Sequence, residues 1–443
     1  MPADPVPSIP PTLSPAARLP GFLRALGSRN YRLFFSGQIV SLVGTWMTLT
    51  ASLWLGYHLK SSAALLGVVA FAGQAPIFFL SPLAGVWVDR TDKRRLLIVT
   101  QILSLVQSGA LAALTLSGTV NIWSLIGLNL CQGAINAFDM TARQAFVIQM
   151  VDRREDMGNA IALNSSMFNL ARLVGPGLGG LLIARVGAGY CYLIDAVSYL
   201  PVIGSLYLIR PRPALVRAGI VPITARVWSQ LVDGFNYVRG FPPIGSTLLL
   251  VAGTALTGFA APVLLPVLAR DVFGGDARTL GLLMSASGRG ALAGAIYLST
   301  RSGLKGIGIV ITLGGVAMGG GLVGCALSRT LPLAMACLGG LGAGGVLLMA
   351  SGNTVVQSLV DDDKRGRVMS LFAMAFTGTT PLGNLLIGQL AGSRVGVRWT
   401  MGGCGVCCVL CAAVYYTRLP RLRALARTAL ARTSNPPPEA AST

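Results

Sequence analysis

Apolar residues run along this chain in long blocks, separated by short clusters of charged and polar residues. An α-helix rising 1.5 Å per residue needs about 20 apolar residues to cross the hydrocarbon core of a bilayer. That ruler predicts twelve spanning helices, at 33–57, 63–88, 96–117, 120–138, 158–184, 189–209, 245–269, 279–300, 306–327, 331–357, 368–392 and 399–417. Pro76, Pro176, Pro201, Pro262 and Pro381 fall inside spans. Neighbouring helices can re-satisfy the freed carbonyls, so these prolines predict kinks rather than breaks.

Lysine and arginine orient the spans. With the N-terminus inside, cytoplasmic segments hold 26 of the 35 basic residues and outer loops hold 7, while Arg172 and Arg289 lie within spans. A positive excess marks the cytoplasmic side, so both termini are expected there. Residues 1–29 form an N-terminal tail, 30–209 a first six-helix bundle, 210–244 a cytoplasmic linker, 245–417 a second bundle and 418–443 a C-terminal tail. In the linker, Val227, Leu231, Phe235 and Val238 recur at helical spacing between Arg226 and Arg239, the pattern of an amphipathic helix on the membrane surface. The halves echo one another. Val151-Asp152-Arg153-Arg154 is matched 209 residues later by Val360-Asp361-Asp362-Asp363, and Arg185-Val186-Gly187 by Arg394-Val395-Gly396. The expected fold is an all-α membrane protein of two pseudo-symmetric six-helix bundles.

Composition agrees. Only 11% of the 443 residues are charged and 53% are hydrophobic, against roughly 25% charged in a soluble domain. The net charge of +20 could suggest nucleic acid, but the basic residues sit in the gaps between apolar runs rather than in one patch. Cys404, Cys407, Cys408 and Cys411 share one helix face. Cys404 and Cys411 are separated by roughly 10.5 Å of helix, too far for one helix to close a site of ~2.3 Å bonds. Apolar packing is the expected role, with no metal and no cofactor. Nor does a nucleophile–base constellation or a nucleotide-binding lysine loop suggest an enzyme.

Between spans two and three stands Gly85-Val-Trp-Val-Asp89-Arg90-Thr-Asp92-Lys93-Arg94-Arg95. It resembles the signature loop of the major facilitator superfamily, G-x-x-x-D-R-x-G-R-R/K, with Asp92 where glycine is usual. The resemblance implies a conformational latch of Gly85, Asp89, Arg90 and Arg94, with Asp139 as the nearest acid for the arginines and the N-terminal end of span eleven facing Asp89. Span five carries Gly175-Pro176-Gly177-Leu178-Gly179-Gly180, similar to the superfamily's exporter-associated element, with Ala171 in place of its first glycine. Small-residue helix packing would explain the same glycines. In span four, Asn129-Leu-Cys-Gln132-Gly133 lacks the arginine found in many proton-coupled members. Asn30-Tyr31-Arg32-Leu33-Phe34, Thr141-Ala142-Arg143-Gln144-Ala145 and Arg365-Gly366-Arg367-Val368-Met369-Ser370 resemble the branch of twelve-span exporters that includes the enterobactin exporter and macrolide efflux pumps.

Ionisable side chains inside a span are costly and should face a cavity or a partner. Arg172 and Arg289 are therefore candidate cavity residues, and Asp195 is a candidate proton carrier, with a structural ion pair as the competing account. Gln38, Trp46, Asn129, Gln132 and Asn353 are uncharged candidates for the same cavity. The expected activity is proton-driven antiport of a drug or siderophore out of the cell. The chain is expected as a monomer in a bacterial inner membrane, its partners a small-molecule substrate, protons and lipid, with no nucleic acid. An importer or lipid flippase, or a non-transporting sensor, are the rivals.

Overall fold

The protein was analysed as a computed structural model that describes residues 21–209, 233–301, 303, 305–361 and 364–434, and these are all-helical apart from short connections. Twelve long helices follow in order: α1 (Arg29–Lys60), α2 (Ala63–Arg90), α3 (Lys93–Leu116), α4 (Ile122–Met150), α5 (Met157–Val186), α6 (Ala188–Leu208), α7 (Pro242–Val272), α8 (Ala277–Ser299), α9 (Ile307–Leu327), α10 (Leu331–Leu359), α11 (Arg365–Gly392) and α12 (Gly396–Ser434). Ten are both long and apolar enough to cross a membrane. The other two, α4 and α8, have 29 and 23 residues, which is ample at 1.5 Å each. They are more polar, because α4 carries Asn129, Gln132, Asn136, Asp139 and Arg143, and α8 carries Arg278, Ser285, Ser287 and Arg289.

Two boundaries move from the expected positions. Helix α4 continues to Met150, so Asp139 and Arg143 lie within it rather than in the following loop. Helix α12 continues to Ser434, through a stretch placed in the C-terminal tail. Both extensions are rich in good helix formers whose charge ends the apolar run without ending the helix. In the linker, Arg226, Val227 and Leu231 lie outside the described residues, as do the tails at 1–20 and 435–443; residues 233–240 are helical. Helix α7 is irregular, with π-helical turns at Ala255–Phe259 and Leu268–Val272 and a 3-10 turn at Ala261–Leu264. Pro262 and Pro266, which cannot donate to the ladder, fall within this stretch.

The first six helices pack mainly on one another, as do the last six, and the two sets meet along two seams, α5 on α8 and α2 on α11. Equivalent ties repeat in each half. The Asp152 N–H donates to Ser28 Oγ at 3.0 Å, and the Asp361 N–H donates to the Tyr237 hydroxyl at 3.5 Å. Both members of the second tie stand 209 residues after those of the first.

Because the helices alternate in direction, Arg29, Arg90, Leu208, Leu359 and Ser434 define one end of the molecule, called here the tail end. Lys60, Leu116, Val272 and Gly392 define the far end. The apolar core is asymmetric between them. At the far end one cluster unites the halves, joining Leu53, Tyr57, Ala63 and Leu66 to Leu264, Leu268, Leu280 and Leu283. Toward the tail end the halves have separate cores: Phe34, Leu97, Phe146 and Leu206 in one, Ile244, Val356, Phe372 and Tyr415 in the other. The molecule is closed at the far end and parted at the tail end.

Candidate functional site

The seams explain the glycines of α5. A Cβ on Gly175 would meet the Trp46 Cβ at 2.5 Å and the Val43 carbonyl at 3.0 Å, and one on Gly179 would meet the Met47 Cα at 3.1 Å, so this face presses on α1. A Cβ on Gly177 would meet Ser285 Oγ at 2.9 Å, and one on Gly281 would meet the Pro176 carbonyl at 2.6 Å. Gly180 abuts the Ala277 carbonyl and Gly281, so the opposite face of the element presses on α8. The exporter-like string therefore holds one helix of the first half against one of the second through backbone approach on two sides.

The signature loop is disengaged between the halves. Asp89 and Arg90 are exposed, and Gly85 has nothing within 4 Å of a Cβ position. Gly366, at the start of α11, is equally open. Arg94 reaches back into its own half, donating from Nε to the Leu206 carbonyl at 2.6 Å and from Nη2 to the Tyr207 carbonyl at 2.7 Å. It thus caps the C-terminus of α6, where carbonyls lack helical partners and a cation is favoured. Asp139, proposed from sequence as the arginine's partner, is instead bound by Arg143, one turn on in α4, and accepts from Thr100 Oγ1 at 2.9 Å and Gln101 Nε2 at 2.7 Å. The pairing differs because Asp139 lies well inside α4, whereas Arg94 sits at the tail end. Asp92 has a role of its own, accepting from the Arg95 N–H at 3.0 Å as the N-cap of α3, which accounts for an aspartate where glycine is usual.

Asp195 lies between α1, α3 and α6 and is 2% exposed. Ser108 Oγ donates to its Oδ2 at 2.9 Å, and the Tyr199 hydroxyl lies 3.4 Å from the same oxygen. The Thr48 hydroxyl also stands beside the carboxylate, although Oδ1 makes no well-formed hydrogen bond among the described residues. It occupies space left by Gly44, whose Cβ would stand 2.7 Å away. Gly44 also lines a lateral groove of about 530 Å³ between α1, α5 and α6, whose other walls include Val40, Met47, Leu178, Leu181 and Arg185.

Arg172 and Trp46 come together, with the guanidinium carbon 6.0 Å from the centre of the indole ring, and Phe168 meets that ring edge-on at 5.6 Å. Arg289 stands elsewhere. Helix α8 packs on α5 through Gly281, Ser285 and Gly288, and on α10 through Ser287, Gly290 and Gly294. Arg289 lies on a separate stripe, one heptad from Leu282 and from Ile296, which are 42% and 57% exposed. That stripe belongs to neither contact face, and Arg289 is itself exposed. Gln132 Nε2 donates to Ser104 Oγ at 3.2 Å and to Asn136 Oδ1 at 3.1 Å. Asn129 bonds the Leu125 carbonyl at 2.8 Å, and Asn353 accepts from Gln357 at 3.2 Å. Gln38 is buried, and its Oε1 has no hydrogen-bond partner among the described residues. Of the cysteines on α12, Cys408 lies 3.2 Å from Thr257 Oγ1 and packs against α7.

Sequence reading missed a polar lock at the far end. The Tyr57 hydroxyl of α1 donates to Asp271 of α7. Arg270 lies over the Tyr57 ring at 5.8 Å, and its Nη1 donates to Ser61 Oγ at 3.4 Å. The one sequence signal was an adjacent acid–base pair at the end of a span. A hydrogen bond to a charged group contributes about 1.5–3 kcal/mol when shielded; Asp271 is exposed, so about 1 kcal/mol is a fairer figure here. Tyr57→Phe should therefore raise the far-end-open population roughly fivefold. A cysteine placed at Thr50, just below the lock, should react several-fold faster with a bulky maleimide in the Tyr57→Phe background. An unchanged labelling rate would show that the lock carries no weight.

Comparison with known proteins agrees with this architecture. The family model described as transmembrane secretion effector matches residues 22–442. The staphyloferrin A transporter of Staphylococcus aureus is 27% identical over 392 residues, covering 87% of this chain and 95% of that protein. The multidrug efflux pump Tap of Mycolicibacterium fortuitum is 29% identical over 407 residues, covering 89% and 96%. Among solved structures, a bacterial homologue of the human lysosomal transporter Spinster, inward-facing and unoccupied, superposes with a TM-score of 0.67 at 14% identity, covering 91% of this chain and 97% of that one. The fold, the two seams and the near-complete family match lead to one assignment: this chain is a multi-pass membrane transporter, not an enzyme, and belongs to the transmembrane secretion effector family of the major facilitator superfamily.

Proposed function

We propose that the protein exports small amphiphilic compounds by alternating access, driven by protons, with both termini in the cytoplasm. The observation that carries this reading is the asymmetry of closure. One core and the Tyr57–Asp271 lock join the halves at the far end, while the tail end is parted and its signature loop unengaged. A transporter whose halves rock about a central site is expected to rest in such a state. The excess of lysine and arginine in the tail-end connections supports a cytoplasmic tail end, which makes this the inward-open state. In the alternate state Gly85 and Asp89 would close on the start of α11. One chain contains both halves, so a monomer suffices.

Relatives that include an efflux pump and a siderophore transporter, together with the glycine-rich string of α5, favour export of a drug or siderophore. For coupling, the enclosed carboxylates differ. Asp139 is paired with Arg143, whereas among the described residues Asp195 has no ion-pair partner and one oxygen without a well-formed hydrogen bond. We assign proton carriage to Asp195.

Two measurements test this reading. Impermeant accessibility tags at Lys60 and Arg94 should report opposite compartments, with Arg94 cytoplasmic; the same compartment for both would end the topology. Cells carrying the protein should accumulate less of some compounds in an amphiphile panel than cells without it, and the deficit should vanish when the pH gradient is collapsed. Higher accumulation would turn the direction to import.

A further inference from the structure

Outside its contacts with α1 and α8, helix α5 has two faces of opposite character. Leu170, Val174, Leu178 and Leu181 form an apolar one, each 37–45% exposed, as expected of a surface turned to lipid. Ser165 and Phe168, which are exposed, and Asn169 and Arg172, which are half-buried, form another at a spacing of one helical turn, running from the tail-end half to the middle of α5. A stripe bearing an arginine, an asparagine and a serine is not tolerated against hydrocarbon, so this face borders the tail-end opening between the halves.

Among the described residues Arg172 has no acidic partner there. Its guanidinium stays charged under any physiological condition and presents five N–H donors. Its described contact is the Trp46 ring, which attracts a cation but accepts none of those donors in the way a carboxylate does. The buried acids among the described residues all stand elsewhere: Asp139 is paired with Arg143, Asp195 lies behind Gly44 among α1, α3 and α6, and Asp156 is at the N-cap of α5, roughly 24 Å along the helix from Arg172.

We propose that the transported compound carries an anionic group, a carboxylate or an equivalent oxyanion, that docks on Arg172 while its apolar body lies on Trp46 and Phe168. The inference rests on the transport reading above and narrows its substrate class. A planar guanidinium pairs both oxygens of a carboxylate at once, and the edge-on aromatic pair offers a platform beside it. Head and body of an amphiphilic anion are thus served by neighbouring side chains on α1 and α5.

Three fluorescent probes with a common body test this: pyrenebutyrate, pyrenebutanol and pyrenebutylamine. Binding is measured on the purified full-length protein in a neutral detergent. The acid should bind roughly tenfold more tightly than the alcohol or the amine. Arg172→Gln should remove that preference, so that acid and alcohol bind the variant alike, and Arg172→Lys should keep part of it. Equal affinity of wild type for acid and alcohol would overturn the proposal, as would a preference that survives in Arg172→Gln. If Arg172→Gln does not fold, the wild-type ratio and the loss in Arg172→Lys decide. Transport of the same probes into vesicles separates the two claims. Movement regardless of charge would refute the anion site and leave transport standing. Preferred binding of the acid with no movement of any probe would keep the site and refute transport.

Discussion

Replacing Asp195 with asparagine should abolish accumulation driven by a pH gradient in proteoliposomes, by roughly 10- to 100-fold, while substrate counterflow continues. Counterflow needs the helices to rock with substrate bound but needs no net proton movement, so the two assays separate coupling from folding. Asparagine matches aspartate in shape, keeps an oxygen to accept from Ser108, and occupies the same space beside Gly44. Packing of α1, α3 and α6 is therefore preserved, and what disappears is the ability to bind and release a proton at a site enclosed by those helices. Gradient-driven accumulation that persists in the variant at normal protein levels would remove Asp195 from the coupling mechanism.

Gly180→Val should be as damaging for a steric reason. The missing side chain of Gly180 is what lets α5 touch α8 at the Ala277 carbonyl, and a Cβ there would also stand 2.9 Å from the Gly281 Cα. These are backbone atoms, which cannot rotate aside, so the helices must separate. Overpacking of this kind costs about 1–3 kcal/mol in a tolerant core and more where backbone blocks relief. The variant should melt at a lower temperature in detergent and transport at background level. Gly109→Val in α3 is the control, because nothing lies within 4 Å of a Cβ there; it should express and transport normally. Normal transport by Gly180→Val would mean that the α5–α8 approach is dispensable.

Most of the fold was legible because a membrane imposes a length and a composition on each helix. The observed ends of α2 and α9, at Ala63–Arg90 and Ile307–Leu327, fall within two residues of the segments marked by apolar length. The ruler failed where helix and membrane part company. Helix α4 leaves its apolar stretch near Asp139 yet remains helical to Met150. The Asp139–Arg143 pair was recoverable from the i, i+4 spacing alone, but the pull of the signature loop drew Asp139 toward Arg94 instead. The Tyr57–Asp271 contact bridges 214 residues, and no local pattern carries information across that distance. Gly44 was equally silent, since its reason for being glycine is a carboxylate on another helix.

The most direct test follows both ends of the molecule at once. Spin labels at Lys60 and Arg278 span the far end, and labels at Arg95 and Gly366 span the tail end, in a background lacking the exposed Cys131 and Cys407. Lowering the pH and adding a transported compound should shift the two pairs in opposite senses, the far-end distance lengthening as the tail-end distance shortens. Distances that stay fixed, or that lengthen together, would contradict alternating access in this protein.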